Sequence, residues 1–201
     1  MCALQAKMEV TVGEFTEEEQ RAVEQHYSEE SVVRDLVHTV PSTITLTRTI
    51  ATHLHLVRGI RVRQDDVWVV TPPKCGTTWL QDLTWLTLNN ADIEKVSVPL
   101  FDRSPWPELP LLMNLDEAVI AKYFAELEAR PSPRVIKSHL PLELLPPSLA
   151  TTGKVIFVCR NARDQAVSFY HHEKLLTHHG LLTSQGSWTS IDGIWYFLFK
   201  Q

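Results

Sequence analysis

Pro73-Lys74-Cys75-Gly76-Thr77-Thr78-Trp79 is a run of residue types suited to gripping an oxyanion. It follows the apolar run Val67-Trp68-Val69-Val70 and opens a stretch with helical spacing, so it reads as strand, loop and helix. Gly76 lets the backbone approach a ligand closely because no side chain obstructs it. Thr77 and Thr78 bring hydroxyl donors to a helix start, where unpaired N–H groups and the helix dipole already favour negative charge. Lys74 adds a mobile full positive charge. The lysine precedes the glycine, whereas the Walker pattern G-x-x-x-x-G-K-[ST] places it after. With no Walker-type magnesium aspartate evident either, a P-loop kinase or ATPase is disfavoured.

Two more segments carry chemistry. In Arg134-Val135-Ile136-Lys137-Ser138-His139-Leu140-Pro141, a strand delivers His139, and Pro141 fixes the turn that follows. Alternation puts Lys137 on the same side of the extended chain. Imidazole titrates near neutral pH, which suits a general base, and Lys137 could hold developing charge. Eight other histidines occur, and a lone one is more often structural; the strand, the lysine and the proline single out His139. In Val155 to Tyr170, VIFVCRNARDQAVSFY, Arg160 stands at a strand end and Ser168 eight residues later on the next helix. Taken alone, Arg160 reads as a surface arginine.

Together and in this order, the three segments resemble the cytosolic sulfotransferases. Val62 to Leu80, VRQDDVWVVTPPKCGTTWL, is similar to that family's 5′-phosphosulfate loop, usually T-Y-P-K-S-G-T-T-W. The Lys137–Pro141 stretch is similar to its K-T-H-L-P segment, and Val155–Tyr170 to its 3′-phosphate segment. The resemblance implies a P-loop-like sulfotransferase fold. It also implies sulfuryl transfer from 3′-phosphoadenosine-5′-phosphosulfate (PAPS) to the hydroxyl or amine of a small molecule, without a metal. Lys74 would then neutralise charge on the oxygen bridging phosphate and sulfur, and Thr77 and Thr78 would donate to the 5′-phosphate. Trp79 would stack on adenine, His139 would be the base, and Arg160 and Ser168 would bind the 3′-phosphate.

The chain departs from the family at two positions in the loop. Pro72 replaces an aromatic residue and Cys75 replaces a serine. A thiol is a poorer donor than a hydroxyl, so Cys75 is expected to offer its backbone N–H. A helix start and Lys74 beside it could also make the thiol reactive, although a tolerated small residue is the simpler reading.

Composition limits the alternatives. A chain of 201 residues with 44% hydrophobic and 21% charged residues is expected to form one domain, spanning 1–201, with a real core. A net charge of −5 argues against a general nucleic-acid or anionic-membrane binder, and the motif residues Lys74, Lys137, Arg160 and Arg163 instead suggest a local anion site. Cys2, Cys75 and Cys159 are widely spaced without a CxxC pair, which fits a reducing cytosol better than disulfides or zinc. The pairs His171-His172 and His178-His179 lack matching carboxylate or cysteine spacing, so no metal is expected there. The N-terminus has no apolar signal core, and no run is long enough to span a bilayer. The soluble, cytoplasmic members of the family are the closer comparison.

The elements that must position these residues follow from local pattern. Residues 1 to about 15 read as a loose lead-in, and Thr16 with Glu19 has capping-box spacing for a first helix. Thr43 to Val57 reads as a second helix. Val67 to Val70 reads as a strand buried on both faces. Thr78 and Gln81 repeat the capping-box spacing, with Leu80, Leu83 and Leu86 as the apolar face of the helix behind the loop. Pro99 to Pro110 is irregular, and its Phe101 and Trp106, with Tyr170, are candidates for lining an acceptor pocket. Asp116 to Ala129 is a helix with the stripe Val119, Ile120, Tyr123, Phe124 and Leu127, ended by Pro131 and Pro133. Strands are expected at Arg134–Ile136 and Lys154–Cys159, and a helix over Gln165–Leu176 capped by Asp164. This alternation predicts an α/β fold, a parallel sheet flanked by helices on both faces.

Ile194 to Phe199, with Trp195 and Phe197, is an apolar run close to the end of the chain and an aggregation hazard if uncovered. The family's third nucleotide motif, containing Arg-Lys-Gly, and its dimerisation motif do not occur in these 201 residues. The expectation is a C-terminally incomplete domain, not dimerising through that motif. The alternative to an enzyme is a non-catalytic remnant with weak nucleotide binding or an interaction role.

Overall fold

The computed structural model describes residues 10–26 and 35–178. Cys2, His179 and the apolar run 194–199 lie outside them. In chain order the elements are β1 (Thr11–Glu14), α1 (Glu17–His26), β2 (Leu36–Val40), β3 (Thr45–Thr47), α2 (Arg48–Thr52), α3 (Leu54–Arg58), β4 (Val67–Val70) and α4 (Thr77–Leu88). There follow α5 (Leu100–Arg103), α6 (Leu109–Leu112), α7 (Glu117–Ala129), β5 (Val135–Ser138), α8 (Leu149–Thr152), β6 (Lys154–Phe157) and α9 (Ala162–His178). The chain divides into two compact units. Residues 53–159 belong to the first, and residues 10–52 with 160–178 to the second.

The first unit is built on a parallel sheet of order β5-β4-β6. Val67 pairs with Val135 and Lys154, and Val70 with Ser138 and Phe157, so all three strands end at the same edge. Every residue of β4 is buried, as the continuous apolar run Val67-Trp68-Val69-Val70 requires of a central strand. Helix α4 packs on β4 and β5, and α8 on β6. The fold is α/β, a parallel sheet flanked by helices.

The opposite edge of the sheet is pinned by charge. Asp66 directly precedes β4 and Arg134 directly precedes β5. Their side chains are 0% and 1% exposed, joined by Nε–Oδ1 at 2.9 Å and Nη2–Oδ2 at 2.6 Å. Arg134 also donates to the carbonyls of Leu127 and Arg61, and Arg63 donates to those of Glu128 and Arg130. Carbonyls at the end of α7 thereby gain side-chain donors where few intrahelical partners remain.

The second unit holds an antiparallel sheet of order β1-β2-β3. The capping box at α1 forms as expected: Thr16 N–H donates to Glu19 Oε2 at 2.9 Å, and Glu19 N–H to Thr16 Oγ1 at 3.3 Å. Arg48 binds both Glu14 and Asp35, tying together the chain around the sheet. Asn161, not Asp164, caps α9: its Oδ1 accepts the Arg163 N–H at 3.0 Å, while Asp164 lies within the first turn.

Other expectations need correction. The lead-in already contains β1 from Thr11. The stretch 43–57 is no single helix; β-branched Thr45 and Thr47 extend into β3 against β2, and two five-residue helices follow. Strand β5 runs on to Ser138, so Lys137 lies within it, whereas β6 stops at Phe157. The buried face of α4 is Thr77, Gln81 and Thr84, and Leu83 is exposed. Two of these polar side chains are paired: the Thr77 hydroxyl with that of Thr71, and Gln81, which donates to Ser104 Oγ at 3.0 Å and does not close a capping box with Thr78. No helix among the described residues is long and apolar enough to cross a membrane.

Candidate active site

The oxyanion loop links β4 to α4. Two of its residues take left-handed backbone angles, Lys74 at φ 65° and Gly76 at φ 94°. Gly76 occupies the N-cap position of the 12-residue α4. A Cβ added to Gly76 would meet nothing within 4 Å, so the glycine is required by its backbone angle and not by crowding within the chain. Thr77 is buried, and its hydroxyl lies 2.5 Å from that of Thr71 at the end of β4. Thr78 is exposed, and Trp79 is 76% exposed. Cys75 is buried with its Sγ 3.8 Å from the Pro73 carbonyl, in contact with its own loop. The first N–H groups of α4 have no intrahelical acceptor and favour an anion, with the Lys74 charge two residues before the cap.

His139 is the first residue beyond β5, at the same edge of the sheet as this loop. Its Nδ1 is 2.7 Å from the carbonyl oxygen of Thr71. A carbonyl only accepts, so the neutral ring keeps its proton on Nδ1 and carries its basic lone pair on Nε2. Trp106 stands edge-on to the imidazole at 5.1 Å between centroids, and the Lys137 ammonium lies 3.8 Å from the centre of the same indole. Trp106 therefore contacts both His139 and Lys137. Burial pushes the Lys137 ammonium down from 10.5 to about 8; Glu108 opposes this, and the like charge of Lys74 adds to it.

The Pro99–Pro110 stretch, expected to be irregular, contains α5 and the start of α6 and forms a wall of this site. Lys137 N–H donates to the Pro105 carbonyl at 2.9 Å. Gln81 of α4 holds Ser104, and the Tyr123 hydroxyl of α7 accepts the Trp106 N–H at 2.9 Å and donates to its carbonyl at 2.8 Å. Burial pushes the Tyr123 phenol up to about 12, so it remains a hydroxyl throughout the physiological range.

Sequence reasoning missed Glu108 and Thr71. Glu108 is fully buried, and its Oε1 accepts from the Ser138 hydroxyl and from the N–H groups of His139 at 3.1 Å and Leu140 at 3.3 Å. Burial raises its carboxyl above the usual range against the pull of those donors. A signal was present: a single acid stands among prolines and leucines in Trp106-Pro107-Glu108-Leu109-Pro110. Thr71 acts partly through a backbone carbonyl, which no residue pattern reveals.

The first unit thus contains Lys74, Gly76, Thr77, Thr78, Trp79, Lys137 and His139 at one sheet edge or in the loop beside it. Arg160 and Ser168 belong to the second unit. Arg160 is exposed just before α9, and Ser168 is half-buried on that helix.

Comparison with known proteins places this parallel sheet, its strand–loop–helix turn and the histidine beyond β5 in a family. The sulfotransferase domain matches residues 64–192, and the chain belongs to the sulfotransferase family. It is 34% identical to dog sulfotransferase 1B1 over 141 residues, covering 70% of this chain and 45% of that one. Human sulfotransferase 1E1 is 38% identical over 125 residues, 61% of this chain and 40% of that protein. The chain thus spans less than half the length of these relatives. Among solved structures, retinol dehydratase in complex with retinol and PAP superposes with a TM-score of 0.78 at 22% identity, covering 96% of this chain and 62% of that one. A mouse sulfotransferase complexed with PAP gives a TM-score of 0.54 at 23% identity, covering 80% and 49%. At these identities the likeness is one of fold.

Proposed function

We propose that this protein moves a sulfuryl group from PAPS to the hydroxyl or amine of a small-molecule acceptor. The observation that carries the reading is the 2.7 Å contact from His139 Nδ1 to the Thr71 carbonyl, which presents Nε2 as a base beside Lys137. The loop residues fit an anionic donor: Lys74 and Gly76 take left-handed angles, Gly76 has open space over its Cα, and a 12-residue helix starts there. PAPS, when bound, supplies the activated sulfur.

His139 Nε2 takes the proton from the acceptor oxygen or nitrogen as that atom bonds to sulfur and the sulfur–oxygen bond to the phosphate breaks. Lys74 offsets the negative charge that builds on the phosphate oxygen, and Lys137 offsets charge on the transferring group. Catalysis of this kind is mostly positioning and charge stabilisation. The edge of Trp106 keeps the imidazole ring in place and shields the Lys137 ammonium from water. Arg160 and Ser168 are assigned to the 3′-phosphate, and Trp79 to the adenine, on their motifs. Three widely spaced cysteines without a CxxC pair are in keeping with a reducing, cytosolic setting.

The test is incubation of the purified chain with sulfur-labelled PAPS and a panel of phenols, steroids and amines, followed by separation of labelled product. Label on any acceptor, dependent on His139, supports the reading. Binding of PAP without transfer to any acceptor favours the non-catalytic alternative.

A further inference from the structure

The parallel ladder ends at Ser138, so the N–H groups of His139 and Leu140 lose their strand partners just where the chain turns towards Pro141. Buried backbone donors need an acceptor. Here a single side-chain atom, Glu108 Oε1, serves both, at 3.1 Å and 3.3 Å, and takes the Ser138 hydroxyl as well. The Ser138 oxygen in turn accepts the Leu140 N–H at 3.0 Å, so the three residues of the turn are closed into one network. Glu108 Oε2 is buried with no hydrogen-bond partner among the described residues. Burying a carboxyl on such terms is unfavourable, and it persists only when the surroundings use what it accepts.

We propose that Glu108 is a positioning residue for the histidine: by accepting the N–H groups that flank the imidazole, it holds His139 against the Thr71 carbonyl, so that Nε2 is the nitrogen offered to an acceptor. This rests on the transfer reading for its use, but the geometry it predicts can be measured without turnover. Two anchors act on His139, Glu108 on the backbone and Thr71 on the ring. Removing the first frees the turn to rotate and breaks the second. The same carboxyl opposes the downward shift of Lys137, so Glu108 influences both His139 and Lys137.

The test is nitrogen-15 NMR of the imidazole tautomers in the whole chain without donor, together with amide exchange. In Glu108→Ala, the His139 and Leu140 amides are expected to exchange at least about tenfold faster, and the Nδ1–H form of His139 to give way to a tautomer mixture. The β4 amides, Val67 to Val70, should keep their protection. Glu108→Gln, which retains an acceptor oxygen, should stay close to wild type. Glu108→Asp, one methylene shorter, should behave like alanine and decides the matter if alanine does not fold. The proposal is overturned if a folded alanine or aspartate variant leaves tautomer and exchange unchanged. It is also overturned if glutamine loses both while β4 stays protected. Where transfer is observed, Glu108→Ala should lower kcat by about 10- to 100-fold with KM for the donor changed less than about threefold. Absence of transfer with the expected tautomer change would reject the transfer reading and leave the positioning role intact.

Discussion

The Nδ1 atom of His139 and the carbonyl oxygen of Thr71 are 2.7 Å apart, which joins the residue after β5 to the residue after β4 across the edge of the parallel sheet. Thr71 also holds the loop helix, through its hydroxyl against Thr77. One residue therefore touches both His139, the proposed base, and the start of α4, so the spacing between them is set by the sheet.

Lys137 makes the account pH-dependent. Its ammonium is lowered from 10.5 to about 8, so the charge present at neutral pH is lost as pH rises through 8. Transfer is expected to fall along an alkaline limb near pH 8, and Lys137→Arg, whose charge persists, should shift that limb upward or remove it. The stability effect has the opposite sense. Between pH 8 and 10.5 the unfolded chain holds the proton more tightly than the folded one, so this group makes the protein more stable as pH rises through that window. Lys137→Met should lack that rise. Denaturant midpoints measured from pH 7 to 10.5 for both proteins check the sign.

Gly76→Ala separates backbone strain from steric clash. No atom lies within 4 Å of the added Cβ, but φ is 94°. The substitution should cost about 1–2 kcal/mol of stability from the left-handed backbone alone. If the loop binds the donor as proposed, calorimetric titration should also show weaker binding of PAP, because the methyl group occupies the open space over Gly76. Unchanged stability and affinity would contradict the role given to the loop.

The buried pair below the sheet should be intolerant of half-removal. Asp66→Ala or Arg134→Ala alone leaves an uncompensated buried charge and should cost about 3–5 kcal/mol, while the double variant should cost less than the sum. Urea unfolding of the four proteins in the cycle gives the coupling directly.

Much of the first unit was legible because its signals are local. The β-branched run Val67–Val70 specifies a central strand, and the glycine and threonines after it mark the turn into a helix, with Gly76 at the N-cap. What escaped depends on partners distant in sequence. Gln81 has the spacing of a capping residue but faces inward to Ser104, 23 positions away. Tyr123 fits an apolar stripe, yet its hydroxyl grips the Trp106 backbone. Glu108 pairs with backbone groups about 30 residues on, and backbone groups carry no sequence signature. In the second unit, threonines at 45 and 47 are compatible with either period, and only pairing with β2 makes them a strand.

The central claim, that His139 is the base for sulfuryl transfer, is tested most directly by single-turnover transfer from labelled PAPS by wild type and His139→Ala, with PAP affinity measured on the same samples. The account predicts labelled acceptor from wild type, a rate at least about 100-fold lower for the variant, and PAP affinities within about threefold of each other, since the base acts in the chemical step alone. Equal transfer by both proteins, or a loss of transfer matched by an equal loss of PAP binding, would contradict it.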